Sequence, residues 1–361
     1  MSIHFHPLSI KEIKQETTDC ISVLFDVPPD LTTAFQFTQG QSLTMRAIIN
    51  GQEVRRTYSI CSSPLDKQLR VAIKKVEGGL FSTFANEQLK KSDILEVMSP
   101  VGRFYTTLDP ANQKNYTAFA AGSGITPILS IIKTTLATEP NSSFTLVYGN
   151  KSRSSIIFFE ELEALKNKYI NRFNLIHLLS REKTDADINF GRITKEKCSQ
   201  LFDRLISIKT TDEFFICGPE EMIFAVKDFL QASSVDEKKI HFELFTTPGQ
   251  SNRINDVRST QYDVSGSQSN ITVKLDGRSF SFTIPTNGDT TILDAAMQQG
   301  ADVPYACKGG VCCTCKAKLL EGEVSMDVHW GLEQEEIEKG YILTCQSHPK
   351  TENVVVDFDV K

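Results

Sequence analysis

No run of about 18 consecutive apolar residues occurs in this 361-residue chain, so a membrane-spanning helix is not expected. The longest candidate, residues 116–132, is broken by Gly122, Ser123, Gly124 and Pro127. No cluster of five or more Lys or Arg is present, and the formal net charge is −6. Nucleic acid is therefore not an expected partner. The start, Met1-Ser2-Ile3-His4-Phe5-His6, has no basic stretch followed by an apolar one. Secretion is not expected, and a cytoplasmic location is. The six histidines form neither a His-x3-His pair nor a paired Glu-x2-His arrangement. Rieske, di-iron and zinc-hydrolase sites are accordingly absent from the pattern, and with them any visible means of activating oxygen within the chain. No internal repeat is apparent.

What the chain does have is unevenly placed. Residues 271–361 carry 8 basic and 14 acidic side chains, whereas residues 1–270 carry 31 of each. The whole net charge thus sits in the last quarter, which suggests a separate module there. The length itself argues for two or three domains, and a composition of 40% hydrophobic and 23% charged residues is that of an ordinary folded soluble protein. The nine cysteines are also uneven, with Cys307, Cys312, Cys313 and Cys315 falling within nine residues. A disulfide framework would spread and pair them; crowding points to a metal or cluster site.

The pattern of short runs changes along the chain. Residues 19–27, 42–49, 55–60, 68–76 and 94–100 read as strands bounded by turn residues, with one helical stretch over 82–90, which predicts a small antiparallel barrel. From residue 116, apolar runs at 116–120, 143–148, 173–179 and 213–217 alternate with helical stretches at 125–136, 155–168, 194–205 and 220–232. That alternation predicts a parallel α/β sheet. Residues 248–270 are polar and rich in Ser, Asn and Gln, and read as a linker. Beyond it, 271–275 and 279–284 flank Asp276-Gly277, a hairpin pattern, followed by a helix at 291–299. The expected domains are residues 1–110, 111–247 and 271–361, with the linker at 248–270.

Cys307-x4-Cys312-x2-Cys315, with Cys345 after 29 more residues, has the spacing of a plant-type [2Fe–2S] site. Two bridged irons need four thiolates, three of them presented by one tight loop. Gly309 and Gly310 in the first gap let the backbone turn and aim N–H groups at sulfur. Structural zinc is the competing reading, but it prefers two Cys-x2-Cys knuckles and the second is missing. Cys313, like Cys20, Cys61 and Cys198, reads as a small packing residue.

Three further motifs fit phosphate-bearing ligands. Arg56 and Tyr58 share one face of a strand in Arg55-Arg56-Thr57-Tyr58-Ser59, which could supply a cation for a pyrophosphate and an aromatic for a flat ring. Taken alone, a surface Arg beside a core Tyr explains them as well. Gly78-Gly79-Leu80-Phe81-Ser82 opens the barrel region's helix, whose unpaired N–H groups suit an anion. Ala121-Gly122-Ser123-Gly124-Ile125-Thr126-Pro127 and Cys217-Gly218-Pro219 each join a strand to a helix, where ligands sit in open α/β sheets.

In this order and spacing the motifs resemble the ferredoxin–NADP⁺ reductase superfamily. With the C-terminal cysteine module the chain looks like the reductase components of multicomponent bacterial oxygenases. The segments 307–312, 320–327, 332–333 and 340–346 are most like the branch serving ring epoxidation of phenylacetyl-CoA; steroid and alkyl-chain hydroxylase reductases share the domain order. The resemblance implies an antiparallel β-barrel FAD domain, an α/β parallel-sheet NAD(P) domain and an α+β, β-grasp-like [2Fe–2S] ferredoxin domain. It implies that Arg56, Tyr58, Ser59, Lys74, Gly79, Leu80, Phe81 and Ser82 form the FAD site. Gly122, Ser123, Gly124 and Thr126 would hold the nicotinamide nucleotide with Cys217, Gly218 and Pro219. Ser59, Cys217 and Glu243 would stand at the reacting centre, and Phe245 over the flavin unless it is a core aromatic. Cys307, Cys312, Cys315 and Cys345 would bind the cluster. Ser180-Arg181, or Lys151 with Arg153, would clamp the 2′-phosphate of NADPH, NADH remaining open; a solvated cationic loop is the alternative. Electrons would pass from NADPH by way of FAD and the cluster to an oxygenase component docking on the acidic ferredoxin module. A non-catalytic iron–sulfur redox sensor is the reading from another class.

Overall fold

The computed structural model describes residues 4–245, 268–286 and 288–360. Residues divide into two compact units, one built mainly from residues 5–245 and the other from the C-terminal part. Most of the expected linker, residues 248–267, lies outside the described residues, and Gln268–Asn270 already belong to a strand.

In the first unit β1 (Phe5–Thr17), β2 (Cys20–Asp26), β3 (Ser42–Ile49), β4 (Gln52–Ser59), β5 (Leu69–Lys74) and β6 (Ile94–Met98) form an antiparallel sheet in the order β4-β3-β6-β1-β2-β5. A bridge between Ile60 and Val71 and the bond from Cys61 N–H to Arg70 O (2.9 Å) join its two edges, so the sheet closes on itself. Closure removes the exposed edges an open sheet would leave. Leu8, Ile10, Val23, Leu43, Val71, Ile73 and Val97 fill its interior. Helix α1 (Leu80–Glu87) plugs it with Phe81, which is 1% exposed. The helix begins two residues earlier than the sequence pattern indicates.

The second half of this unit carries β7 (Asn115–Ala121), β8 (Ser143–Asn150), β9 (Phe173–Leu179), β10 (Glu213–Gly218) and β11 (Ile240–Leu244), all parallel in the order β11-β10-β7-β8-β9. Strands buried on both faces read as continuous apolar runs, which is why they are legible in sequence. Helices α2 (Ile125–Thr138), α3 (Phe159–Lys168), α4 (Lys195–Arg204) and α5 (Glu220–Ala232) connect them. Helix α3 starts four residues later than the pattern predicts. A serine capping box at Ser152 and Ser155 closes a separate turn first, and Phe158 takes a left-handed conformation (φ 60°) at the helix entry. Chain order reverses between β7 and β10, placing the loops that follow them side by side.

Barrel and parallel sheet meet along a polar seam on α2. Ser130 Oγ donates to Ser62 O (2.6 Å), Ser63 and Thr134 share a hydroxyl bond (2.9 Å), and Lys133 bridges Asp66 (2.6 Å) and Glu161 (2.7 Å).

The C-terminal unit holds β12 (Gln268–Leu275), β13 (Arg278–Pro285), β14 (Lys316–Glu321), β15 (Val324–Met326), β16 (Tyr341–Leu343), β17 (Ser347–Pro349) and β18 (Asn353–Asp357). Helices α6 (Ile292–Gln298) and α7 (Gln334–Glu338) complete it. The mixed sheet runs β13-β12-β18-β14-β16, with β12 and β18 parallel at its centre and a β12–β13 hairpin turning at Asp276-Gly277. A hairpin, a helix packed on the sheet and a central parallel pair make it β-grasp-like. Among the described residues no helix is long and apolar enough to cross a membrane.

Candidate functional site

Four chain segments converge at the C-terminal ends of β7 and β10. Cys217 and Gly218 end β10, and Glu243 pairs with Cys217 in the parallel register of β11. Ser59, the last residue of β4, is buried and donates its hydroxyl to Glu243 Oε2 (3.0 Å). Burial raises the Glu243 carboxyl from its ordinary 4.5 to about 7, with the Ser59 hydrogen bond acting in the opposite sense. Burial, reinforced by the Glu243 charge, pushes the Cys217 thiol well up, so it is a neutral thiol at physiological pH. The three residues that the resemblance assigns to the reacting centre thus come together, as a proton-holding Ser–Glu pair beside an un-ionised sulfur.

The turn after β7 packs against them. A Cβ on Gly124 would lie 2.0 Å from Cys217 O and 2.4 Å from Cys217 C, so only glycine permits this approach. Gly122 takes φ 53°, its carbonyl accepts from Tyr148 OH (2.9 Å), and the Lys74 ammonium lies beside it. Thr126 is buried, and its hydroxyl is spent on Ser123 O (3.0 Å), so its own part in a ligand site is through backbone. Pro219 enters α5 without a side-chain cap, which leaves that helix start open as well.

Helix α1 also starts without a side-chain cap, at Gly79, and the N–H groups of Leu80, Phe81 and Ser82 lie in its unpaired first turn. The Ser82 hydroxyl closes the turn internally, accepting from Val76 N–H (3.1 Å) and donating to Gly79 O (3.3 Å). Phe81 points into the barrel core, so it offers a ligand only its backbone, while its ring stands 5.7 Å from that of Tyr58. Leu80 is exposed. Arg56 is half-buried, one guanidinium nitrogen donating to Arg55 O (2.7 Å). Phe245, the last residue described in this unit, is 43% exposed, which removes the core-aromatic alternative. An open helix start with a tyrosine ring beside it forms a set that fits a flavin dinucleotide.

Ser180 and Arg181 lie apart from this group, beyond β9. Ser180 N–H donates to Asn150 O (2.9 Å) and Arg181 N–H to Lys151 O (2.8 Å), extending the β8–β9 ladder. The two segments that sequence offers as alternatives, 151–153 and 180–181, are therefore neighbours. Glu182 joins them, its carboxylate accepting from Arg153 N–H (2.7 Å).

In the C-terminal unit, Lys308 (φ 51°), Gly310 (φ 73°) and Cys313 (φ 54°) wind the loop that carries three of the four candidate ligand cysteines. Gly309 N–H donates to Cys307 Sγ (3.3 Å). A hydrogen bond from Cys312 and the N–H groups of Gly309, Val311 and Cys312 lower the Cys307 thiol to about 6. Cys315 and Cys345, both buried, form a second hydrogen-bonded thiol pair, and Thr344 fixes it by donating its N–H and hydroxyl to Cys315 O (3.2 and 3.0 Å). Two hydrogen-bonded thiol pairs, Cys307 with Cys312 and Cys315 with Cys345, suit two bridged irons each held by two cysteines.

Sequence reasoning missed Glu139. It is fully buried at the end of α2, and its carboxylate accepts from Asp109 N–H (3.1 Å), Asn112 Nδ2 (2.7 Å), Tyr116 OH (2.9 Å) and Ser142 Oγ (2.7 Å). It fixes the connection between barrel and parallel sheet. No local motif marks it, because its partners are loop residues and a tyrosine whose positions only the fold determines.

Comparison with known proteins agrees with this arrangement. The oxidoreductase FAD-binding domain matches residues 7–105, the oxidoreductase NAD-binding domain residues 119–228 and the 2Fe-2S iron-sulfur cluster binding domain residues 273–350. The chain is 46% identical over 357 residues to one of the subunits of 1,2-phenylacetyl-CoA epoxidase of Escherichia coli (strain K12), covering 99% of this chain and 98% of the relative. It is 32% identical to the ferredoxin reductase component of 3-ketosteroid-9-alpha-monooxygenase of Rhodococcus rhodochrous, covering 97% and 96%. Among solved structures it resembles phthalate dioxygenase reductase, with a TM-score of 0.59 and 25% identity over 98% of both chains. The cofactors are FAD, a nicotinamide nucleotide and a [2Fe–2S] cluster, one for each matched domain. The chain belongs to the ferredoxin–NADP⁺ reductase family, as a flavin and iron–sulfur reductase component of a multicomponent oxygenase.

Proposed function

We propose that this reductase takes electrons from NADPH and delivers them to an oxygenase that epoxidises the ring of phenylacetyl-CoA. The observation that carries the choice of oxygenase is the 46% identity, over almost the full length of both chains, to a component of the phenylacetyl-CoA epoxidase. The steroid monooxygenase reductase, at 32%, is the more distant relative.

Bound flavin would convert a two-electron hydride into single electrons, and the cluster would carry these one at a time. The residues supply the setting. Arg56 and the amides of Leu80 to Ser82 would hold the FAD pyrophosphate, with Lys74 and Gly79 completing the pocket and Tyr58 packing on the ring. The glycine turn at Gly122–Gly124 and the open start of α5 at Gly218 and Pro219 would take the nicotinamide nucleotide. Glu243 holds or releases a proton at Oε2 near neutral pH and exchanges it through Ser59 Oγ. The uncharged Cys217 thiol offers a compact, polarisable surface for the nicotinamide without repelling a hydride donor. Cys307, Cys312, Cys315 and Cys345 would ligate the cluster.

The NADPH preference rests on three basic residues, Lys151, Arg153 and Arg181, carried with Ser180 on two adjacent backbone segments, a set suited to a 2′-phosphate. A higher kcat/KM for NADH than for NADPH would overturn it. The surplus of acidic residues in the C-terminal module, six over 271–361, supports docking of that module on a basic patch of the oxygenase. The coupled rate should then fall as salt rises, and a salt-independent rate would refute this. A cytoplasmic location accords with the reduced cysteines this chemistry needs. The decisive assay is NADPH oxidation by the purified chain coupled to purified oxygenases. Product formation with phenylacetyl-CoA epoxidase and none with a steroid monooxygenase is expected; the reverse would move the chain to the other branch.

A further inference from the structure

The segments that follow β8 and β9 are joined by their main chains only as far as Lys151. Ser180 N–H donates to Asn150 O (2.9 Å) and Arg181 N–H to Lys151 O (2.8 Å), bonds that do not depend on side-chain identity. Past Lys151 the first segment leaves the ladder and enters a short 3₁₀ turn, Arg153–Ser155. Ser155 closes that turn on itself, its hydroxyl accepting from Ser152 N–H (3.1 Å). The N–H of Arg153, at the first position of the turn, finds no acceptor inside it. Its acceptor comes from the other segment, Glu182 Oε2 at 2.7 Å. A carboxylate on a main-chain N–H makes a short, charge-assisted bond. Unlike the two ladder bonds, this tie depends on a side chain.

The cations beside it stay open to a ligand. Among the described residues no ion pair joins Glu182 to Lys151, Arg153 or Arg181. Arg153 instead lays its guanidinium over the Phe159 ring, 4.7 Å from the centroid. Arg153 is thereby fixed twice, at its N–H by Glu182 and at its guanidinium by Phe159.

We propose that Glu182 is a positioning residue for the nicotinamide nucleotide: by accepting from Arg153 N–H it carries the contact between the two segments past Lys151 and holds Arg153 with Lys151 and Arg181 for one 2′-phosphate. This rests on the reading of those three cations as the 2′-phosphate site. The sign of the effect separates a tie from a charge. A carboxylate repels a nearby phosphate, so losing Glu182 for its charge alone would strengthen NADPH binding. Losing it as a tie releases Arg153 and weakens NADPH binding.

The test uses the intact chain with its cofactors, and ferricyanide as electron acceptor. Glu182→Ala removes charge and acceptor together, whereas Glu182→Gln removes the charge and keeps an amide oxygen in its place. In Glu182→Ala the KM for NADPH should rise roughly tenfold with kcat close to the parent, while the KM for NADH changes by less than about twofold. In Glu182→Gln the KM for NADPH should stay at or below the parent value. Calorimetric titration with NADP⁺ and NAD⁺ should give the same pattern in Kd without turnover. A KM for NADPH at or below the parent in Glu182→Ala would overturn the proposal. So would equal rises for both nucleotides, or a Glu182→Gln protein as impaired as Glu182→Ala. Arg181→Ala tests the underlying reading. Selective loss of NADPH affinity there, with both Glu182 variants silent, sinks the tie alone; an unchanged preference between the nucleotides in Arg181→Ala removes the phosphate site and the tie with it.

Discussion

Glu243→Gln should make the flavin–nucleotide unit more stable at alkaline pH while slowing its chemistry. In the folded chain this carboxyl titrates near 7 because burial disfavours its charge, against an ordinary 4.5. Between those two values the native state binds a proton that the unfolded chain has released. Stability therefore falls as pH rises through the window and stays reduced above 7. The interval corresponds to on the order of 3 kcal/mol. A glutamine is neutral throughout and escapes that loss. Urea unfolding followed by circular dichroism at pH 4.5 and pH 8 should give similar stabilities for parent and variant in acid. A gap approaching that size should open in favour of the variant at pH 8. Flavin reduction by the nicotinamide, followed in a stopped-flow instrument, should be slower in the variant. Its dependence on pH around 7 should also be lost, because Ser59 Oγ no longer has a titrating partner. A stability gap that does not change between pH 4.5 and 8 would show that Glu243 ionises as if exposed, and the proton-holding role would fall with it.

Gly124→Ala forces a methyl group against the Cys217 carbonyl; a loss of about 2 kcal/mol and at least about tenfold slower flavin reduction are expected, and parent-like values of both would contradict the close-approach argument. Glu139→Ala strands Tyr116 OH and Ser142 Oγ in the core and should cost on the order of 3 kcal/mol in chemical unfolding, whereas a cost below about 1 kcal/mol would mean water replaces the carboxylate. Cys312→Ser should abolish electron delivery to a one-electron acceptor protein while nicotinamide still bleaches the flavin band at close to the parent rate; loss of that bleaching as well would refute the division of labour between domains.

The parallel sheet was legible because strands covered on both faces are apolar without interruption, and four of its five are plain in the sequence. Strand β11 was not, being only five residues long and interrupted by the polar His241 and Glu243. Strand β1 escaped for a different reason. Its buried positions run Leu8, Ile10 and then lose phase, because a bulge between Ile10 and Glu12 shifts the register and breaks the period of two. Bulges help a sheet curl and close, so the residues that allow the barrel also hide one of its strands from pattern reading. Helix α3 was misplaced at its start because Phe158 adopts a left-handed conformation that nothing in its side chain announces.

The same contrast separates the parts of the site. The cysteine loop, the glycine turn after β7 and the open start of α1 are each set by backbone geometry over a few consecutive residues, and backbone geometry restricts residue type strongly enough to leave a motif. The Ser59–Glu243 bond joins residues 184 apart in sequence. Neither residue is required by its own strand, so only the packing of β11 beside β10, and of that sheet against the end of β4, gives the pair meaning.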